Sequence, residues 1–246
     1  MNKYFQAPWT IKEIIIAFCV ALIGMSAAIL VLNYFKIDEL ITSSSGKTLI
    51  ILGVFLLQWL ILLLPIGFIT YRKGELSKKS LGLKNIGAWP TIKMIFGAYL
   101  VFLGISFLIV AFMITTGIQI PGYQVQEKIL YLFSGDTVSL LFAGFFIVIL
   151  APIVEELFFR GVLLRTLVDK IGKIRGSIIV AAIFAVFHMQ WQSIIPVFIL
   201  GLIINSIAIR SRSIMPAIYF HMFNNLVAFG IELMIIKEAI KIDALI

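Results

Sequence analysis

Residues 138–164 read VSLLFAGFFIVILAPIVEELFFRGVLL, and the only ionisable side chains in this run are Glu155, Glu156 and Arg160. At about 1.5 Å of rise per residue, a helix of this length crosses the ~30 Å hydrocarbon core of a bilayer. The run therefore makes lipid part of the solvent of this chain, and it places three costly charges inside that solvent. The composition agrees. Hydrophobic residues fill 61% of 246 positions, mean hydropathy is +1.11, and only 13% of residues are charged, against about a quarter in average globular sequence. A soluble domain of this length cannot hide so much apolar side chain.

Six further apolar runs surround this one, at about 14–35, 48–70, 91–114, 177–190, 193–209 and 213–236. They predict an all-α fold, a polytopic membrane helical bundle of about seven transmembrane helices in a single membrane domain over residues 1–246. The first run is too long for a signal-peptide core and lacks a small-residue cleavage site after it, so a retained helix is expected. Basic residues mark every second connection: Lys3 and Lys12, then Arg72, Lys73, Lys78, Lys79 and Lys84, then Arg165, Lys170, Lys173 and Arg175, then Arg210 and Arg212. The alternate connections are near neutral or acidic, with Lys36, Asp38, Glu39 and Lys47, then Glu127, Lys128 and Asp136. The positive-inside rule thus predicts a cytoplasmic N-terminus, with the tail at Lys237, Glu238, Lys241 and Asp243 outside. The net charge of +8 is spread over these loops rather than gathered in one patch, so no nucleic-acid partner is expected. Cys19 is the sole cysteine, which excludes an intrachain disulfide and a cysteine-based zinc site. No fixed-period repeat or low-complexity linker interrupts the chain.

Ionisable groups inside spans are expensive and become functional candidates. Besides Glu155 and Glu156, the two histidines of the chain, His188 and His221, both fall in predicted helices. Depth can be counted from the nearest basic cluster. Glu155 lies ten positions before Arg165, His188 thirteen after Arg175 and His221 nine after Arg212, or roughly 15, 20 and 14 Å. One carboxylate and two imidazoles thus reach similar depth on three helices. In the last run Ala217, His221, Asn224, Asn225 and Ala228 form a small, polar stripe at helical spacing, the mark of a face packed on other helices. Glu156 and Arg160, four apart, can pair as a structural ion pair. Glu155, rotated about 100° from Glu156, is free to point elsewhere. Pro152 removes a backbone donor just before them. Arg165 reads as a topological anchor near the membrane surface, and Phe184 as packing. Asn205 and Glu232 find no partner and read as structural.

Three short motifs follow in order, each on its own helix: Glu155-Glu156-Leu-Phe-Phe-Arg160, Phe184-Ala-Val-Phe-His188 and His221-Met-Phe-Asn-Asn225. They resemble the CAAX protease and bacteriocin-processing family of intramembrane proteases, also called abortive-infection-like proteins. The likeness covers about residues 138–236, with a weaker one at Ser80-Leu-Gly-Leu83. It implies an intramembrane endopeptidase of glutamate or metalloprotease type, with a protease-like core in that region. Eukaryotic members of the family cut the C-terminal tripeptide from prenylated proteins. Bacterial members are linked to bacteriocin maturation, self-immunity, peptide signals and envelope regulation.

On this reading the catalytic residues are Glu155, Glu156, His188, His221 and Asn225, with Arg160 and Phe184 in support. Glu155 suits a general base with His188 holding the same water, while His221 and Asn225 could donate to the oxyanion. No cofactor is required by that scheme. Zinc is the alternative, held by Glu155, His188 and His221 with Glu156 as base, although no His-Glu-x-x-His helix is present. Expected partners are membrane lipid and a membrane-associated protein or peptide substrate, prenylated or a peptide precursor. The expected location is the bacterial cell membrane. Two readings from other classes stay open: a catalytically idle scaffold or immunity protein regulating a partner, and a proton-coupled transporter, which the lack of an inverted repeat disfavours.

Overall fold

A computed structural model of the protein describes residues 7–34, 44–75, 77–124 and 137–243. Among the described residues every regular element is helical and no strand forms. In chain order the helices are α1 (Ile11–Tyr34), α2 (Ser44–Arg72), α3 (Ala88–Thr116), α4 (Thr137–Ile171), α5 (Lys173–Phe187), α6 (Ile194–Ser211) and α7 (Met215–Asp243). Helices are forced here, because lipid offers no partner to backbone N–H and C=O groups and a helix satisfies its own. Five stretches are long and apolar enough to cross a membrane: Thr48–Arg72, Ala88–Thr116, Thr137–Ile171, Trp191–Ser211 and Met215–Ile235. The protein is a multi-pass membrane protein. Lys3, Lys36, Asp38, Glu39, Glu127, Lys128 and Asp136, used above for orientation, lie outside the described residues.

The fifth expected span departs most from its prediction. α5 has 15 residues and rises about 22 Å, short of the ~30 Å core. It stops at Phe187, so His188 caps the helix instead of sitting within it. Met189 then takes a left-handed φ of 55°, and a short turn at Trp191–Ser193 leads into α6. Non-helical backbone at membrane depth needs partners supplied by protein. The segment after α3 supplies them: Gln124 N–H donates to Gln192 O at 2.7 Å, and Ile195 N–H donates to Gly122 O at 2.9 Å. Gly122 has φ 78°, and a Cβ there would sit 2.8 Å from Ile194 Cγ2, so only glycine permits this approach.

The chain divides into two compact units. The first comprises residues 1–11, 75–127 and 155–221, and the second 12–74, 128–154 and 222–246. Between helices in lipid, close packing and hydrogen bonds replace water exclusion as the cohesive force. In the second unit Trp59 of α2 stacks on Phe146 of α4, ring centroids 5.5 Å apart, and Leu52, Ala143 and Val154 complete that core. Thr48 donates to Ser139 at 3.1 Å, and Lys73 pairs with Glu13 at 2.7 Å.

In the first unit Gly176 lets α5 close on α4, since a Cβ there would meet Val168 N at 3.0 Å. Arg165, expected at the membrane surface as an anchor, is instead 3% exposed in these packed turns of α4. Lys78, Lys79, Lys84, Lys170, Lys173, Arg175, Arg210 and Arg212 are exposed, as loop cations should be. The Ser80–Leu83 segment docks by its backbone. Ile214 N–H donates to Gly82 O at 3.0 Å and Ser213 Oγ to Lys84 O at 2.5 Å. Gly161 leaves room for the Leu81 carbonyl, which a Cβ would meet at 3.2 Å.

Candidate active site

α4 carries two stretches of wide π-helical turns, Phe145–Leu150 and Leu157–Leu164, on either side of the α-helical Ala151–Glu156 that bears the carboxylates. Such local widening recurs at functional sites. Pro152 explains one consequence. In the first wide stretch Ala151 N–H donates to Phe146 O, so the next donor in register would be residue 152, which as proline has none. The carbonyl left over is that of Ile147, and Asn225 Nδ2 donates to it at 2.9 Å. Asn225, Ile147 and Pro152 all belong to the second unit. The amide expected at the oxyanion thus has one of its N–H groups committed to α4.

The remaining candidates belong to the first unit. Glu156 and Arg160 are both fully buried and pair at 2.8 Å, as their spacing predicts. His221 Nδ1 lies 2.9 Å from the same Glu156 Oε1, and His221 Nε2 lies 4.0 Å from Glu155 Oε2. The two adjacent carboxylates therefore address opposite edges of one imidazole. Glu155, though rotated away from Glu156 along the helix, converges on the same ring from the other side. Its side chain is 21% exposed, and its Oε2 has no hydrogen-bond partner within the protein.

The protonation of both rings follows from their partners. His188 Nδ1 lies 2.8 Å from the Phe184 carbonyl. A carbonyl only accepts, so Nδ1 carries the hydrogen and a neutral His188 has a bare Nε2. Glu156, paired with an arginine that stays charged, is an acceptor too. His221 Nδ1 is then the donor, and its Nε2 is bare when the ring is neutral. A neutral His221 therefore accepts at Nε2, and it donates to an oxyanion only once protonated.

Phe184 packs in support of the site, as expected, and Asn205 has a partner that the sequence did not reveal. The Phe184 ring lies 4.5 Å from the His188 ring and 5.8 Å from the His221 ring. The Arg160 guanidinium carbon sits 4.5 Å from its centroid, close enough for a cation–π contact. Asn205 is fully buried and accepts from Arg160 Nε at 2.9 Å.

The two imidazoles and Glu155 match zinc-ligand types. Yet among the described residues no three His, Cys, Asp or Glu side chains are grouped to hold a metal ion. The 4.0 Å separation of Glu155 and His221 also exceeds the roughly 3.3 Å that two ligands on one tetrahedral zinc would show. The residues as arranged do not fit zinc.

Fold and cluster together define a helical multi-pass membrane protein with carboxylate, imidazole and guanidinium groups gathered within its helices. Residues 137–227 match the family described as type II CAAX prenyl endopeptidase Rce1-like. That segment runs from the start of α4 into α7 and contains all three motifs. No curated protein and no solved structure matches the chain.

Proposed function

We propose that the protein is an intramembrane endopeptidase that hydrolyses a peptide bond in a membrane-associated protein or peptide substrate. The reading rests foremost on one arrangement: Glu155 faces the bare Nε2 of an imidazole at 4.0 Å, and Glu156 fixes the opposite edge of that ring at 2.9 Å. A structural ion pair needs only Glu156 and Arg160. It gives no reason for a second, partly exposed carboxylate on the far side of the histidine.

In this mechanism Glu155 Oε2 takes a proton from water, and the water oxygen bonds to the scissile carbonyl carbon. His188, held at Nδ1 by the Phe184 carbonyl, accepts the other hydrogen of that water at Nε2 and aims its lone pair. The tetrahedral intermediate collapses as the C–N bond breaks and the proton from Glu155 passes to the leaving nitrogen, giving a carboxyl group and an amine. Glu156, bound to Arg160, sets the tautomer of His221 much as the aspartate of a serine-protease triad sets its histidine. When His221 is protonated, Glu156 stabilises the imidazolium and Nε2 can donate to the oxyanion.

The test compares the peptides of cells carrying native protein or Glu155→Gln at matched membrane abundance. Precursors that accumulate only in the variant, and are cut by purified native protein, support the proposal. Identical peptide profiles from the two strains would overturn it.

A further inference from the structure

We infer that Asn205, on a helix that carries none of the three motifs, is a positioning residue that sets the orientation of His221 through Arg160 and Glu156. The inference rests on the protease reading for its consequence in turnover, but its geometry stands alone. Arg160 presents a rigid fork with donors on three sides, and each side is occupied: Nε by Asn205 Oδ1 at 2.9 Å, Nη1 by Glu156 Oε1 at 2.8 Å and Nη2 by the Gly201 carbonyl at 3.2 Å. Gly201 and Asn205 lie one turn apart on α6, so this single helix holds two of the three sides.

The amide of Asn205 is itself oriented. Its Nδ2 donates to the Ser177 carbonyl of α5 at 2.8 Å. Turning the amide over would set donor against donor at Arg160 and acceptor against acceptor at Ser177. The chain of bonds therefore runs in one direction, from Ser177 on α5 through Asn205 on α6 to Arg160 and Glu156 on α4, and ends at His221 Nδ1 on α7. Glu156 Oε1 accepts from both Arg160 and His221, so a shift of the guanidinium moves the oxygen that fixes the imidazole. An apolar residue at 205 would leave the buried Nε–H of Arg160 without an acceptor, and the fork would have to tilt to find one.

The experiment uses the full chain in lipid nanodiscs with 15N-labelled histidine. The chain has only two histidines, and His188→Gln assigns them. In Asn205→Leu the His221 Nδ1–H resonance should move or vanish while that of His188 stays in place. On a substrate whose cleavage depends on Glu155, kcat should fall ~10- to 100-fold with KM within about twofold, the size expected from misplacing a catalytic group. If Asn205→Leu does not accumulate, Asn205→Ser, with a shorter acceptor, should show the same displacement of His221 to a smaller degree.

A native His221 resonance in whichever variant folds overturns the inference, even if Glu155-dependent cleavage is found. A displaced His221 resonance in a protein that shows no Glu155-dependent cleavage would uphold the positioning chain and overturn the protease reading instead.

Discussion

Glu155 and Glu156 are neighbours in sequence, yet they differ in burial and in their partners. Glu156 is fully buried and bonded to both Arg160 and His221. Glu155 is partly exposed and lies 4.0 Å from the other nitrogen of the same ring. Glu155→Gln, His188→Ala and His221→Ala should each abolish cleavage while membrane abundance stays near native, as quantitative immunoblotting beside a peptide-release assay would report. Glu156→Gln should lower kcat by ~10²- to 10⁴-fold, because a glutamine can present either its oxygen or its NH2 to His221 and no longer dictates the tautomer. Arg160→Ala differs in kind. It strands a buried carboxylate and should cost about 3–5 kcal/mol of stability, seen as lost abundance. Removing both charges, as Glu156→Gln with Arg160→Met, should recover much of that abundance without recovering activity. Equal loss of folded protein in every one of these variants would mean that the cluster only holds the fold together.

At the scale of elements, α4 is shaped by a proline and repaired by an amide. Pro152 leaves the Ile147 carbonyl without its helical donor, and Asn225 fills the gap. Asn225→Ala should therefore destabilise the protein by about 1–3 kcal/mol, the usual cost of an orphaned buried group. Pro152→Ala restores a backbone N–H and should cancel most of that loss in the double variant. Thermal midpoints of the two single variants and the double variant would reveal the coupling, and strict additivity would rule it out. The helical periodicity that placed Asn225 on the same stripe as His221 cannot foresee this bond, because a 3.6-residue period does not encode the π turns that expose Ile147. Gly176→Ala should also destabilise, by about 1–3 kcal/mol, since its Cβ would press on the α4 backbone, which cannot yield as a side chain can.

For the whole molecule, the exposed Lys and Arg residues at 72–84 and 165–175, Arg165 excepted, predict under the positive-inside rule that those connections are cytoplasmic. The short α5 does not disturb this parity, since α5 and α6 form a hairpin that leaves from Lys173 and returns to Arg210. In a Cys19→Ser background, cysteines introduced at 78 or 170 should resist membrane-impermeant reagents applied to intact cells and react after lysis. Ready labelling from outside would reverse the orientation. Metal can be addressed on the same purified protein. Activity should survive prolonged chelation, with zinc well below one equivalent. Activity that disappears on chelation and returns with added zinc would show that the ligands rearrange into a metal site absent from this arrangement.

The apolar runs, the alternating loop charges and the depth of Glu155, His188 and His221 are all legible in the linear chain, because hydrophobic length and charge position depend on composition along one axis. From these the membrane-helical fold followed directly, and the site candidates were drawn from the same signals. The partners did not. His221 bonds Glu156 across 65 positions, and Arg160 reaches Asn205 across 45. Each of these depends on how far a helix is rotated and where its turns widen. Arg165 was misread as a surface anchor for the same reason, as its surroundings are supplied by other parts of the fold. The end of α5 at Phe187 was hidden as well, since apolar side chains continue past it while the backbone turns at Met189. Which groups stand in lipid was written in the order of residues. Which nitrogen of each histidine is bare was settled only by the hydrogen-bond partners that folding brought to the rings.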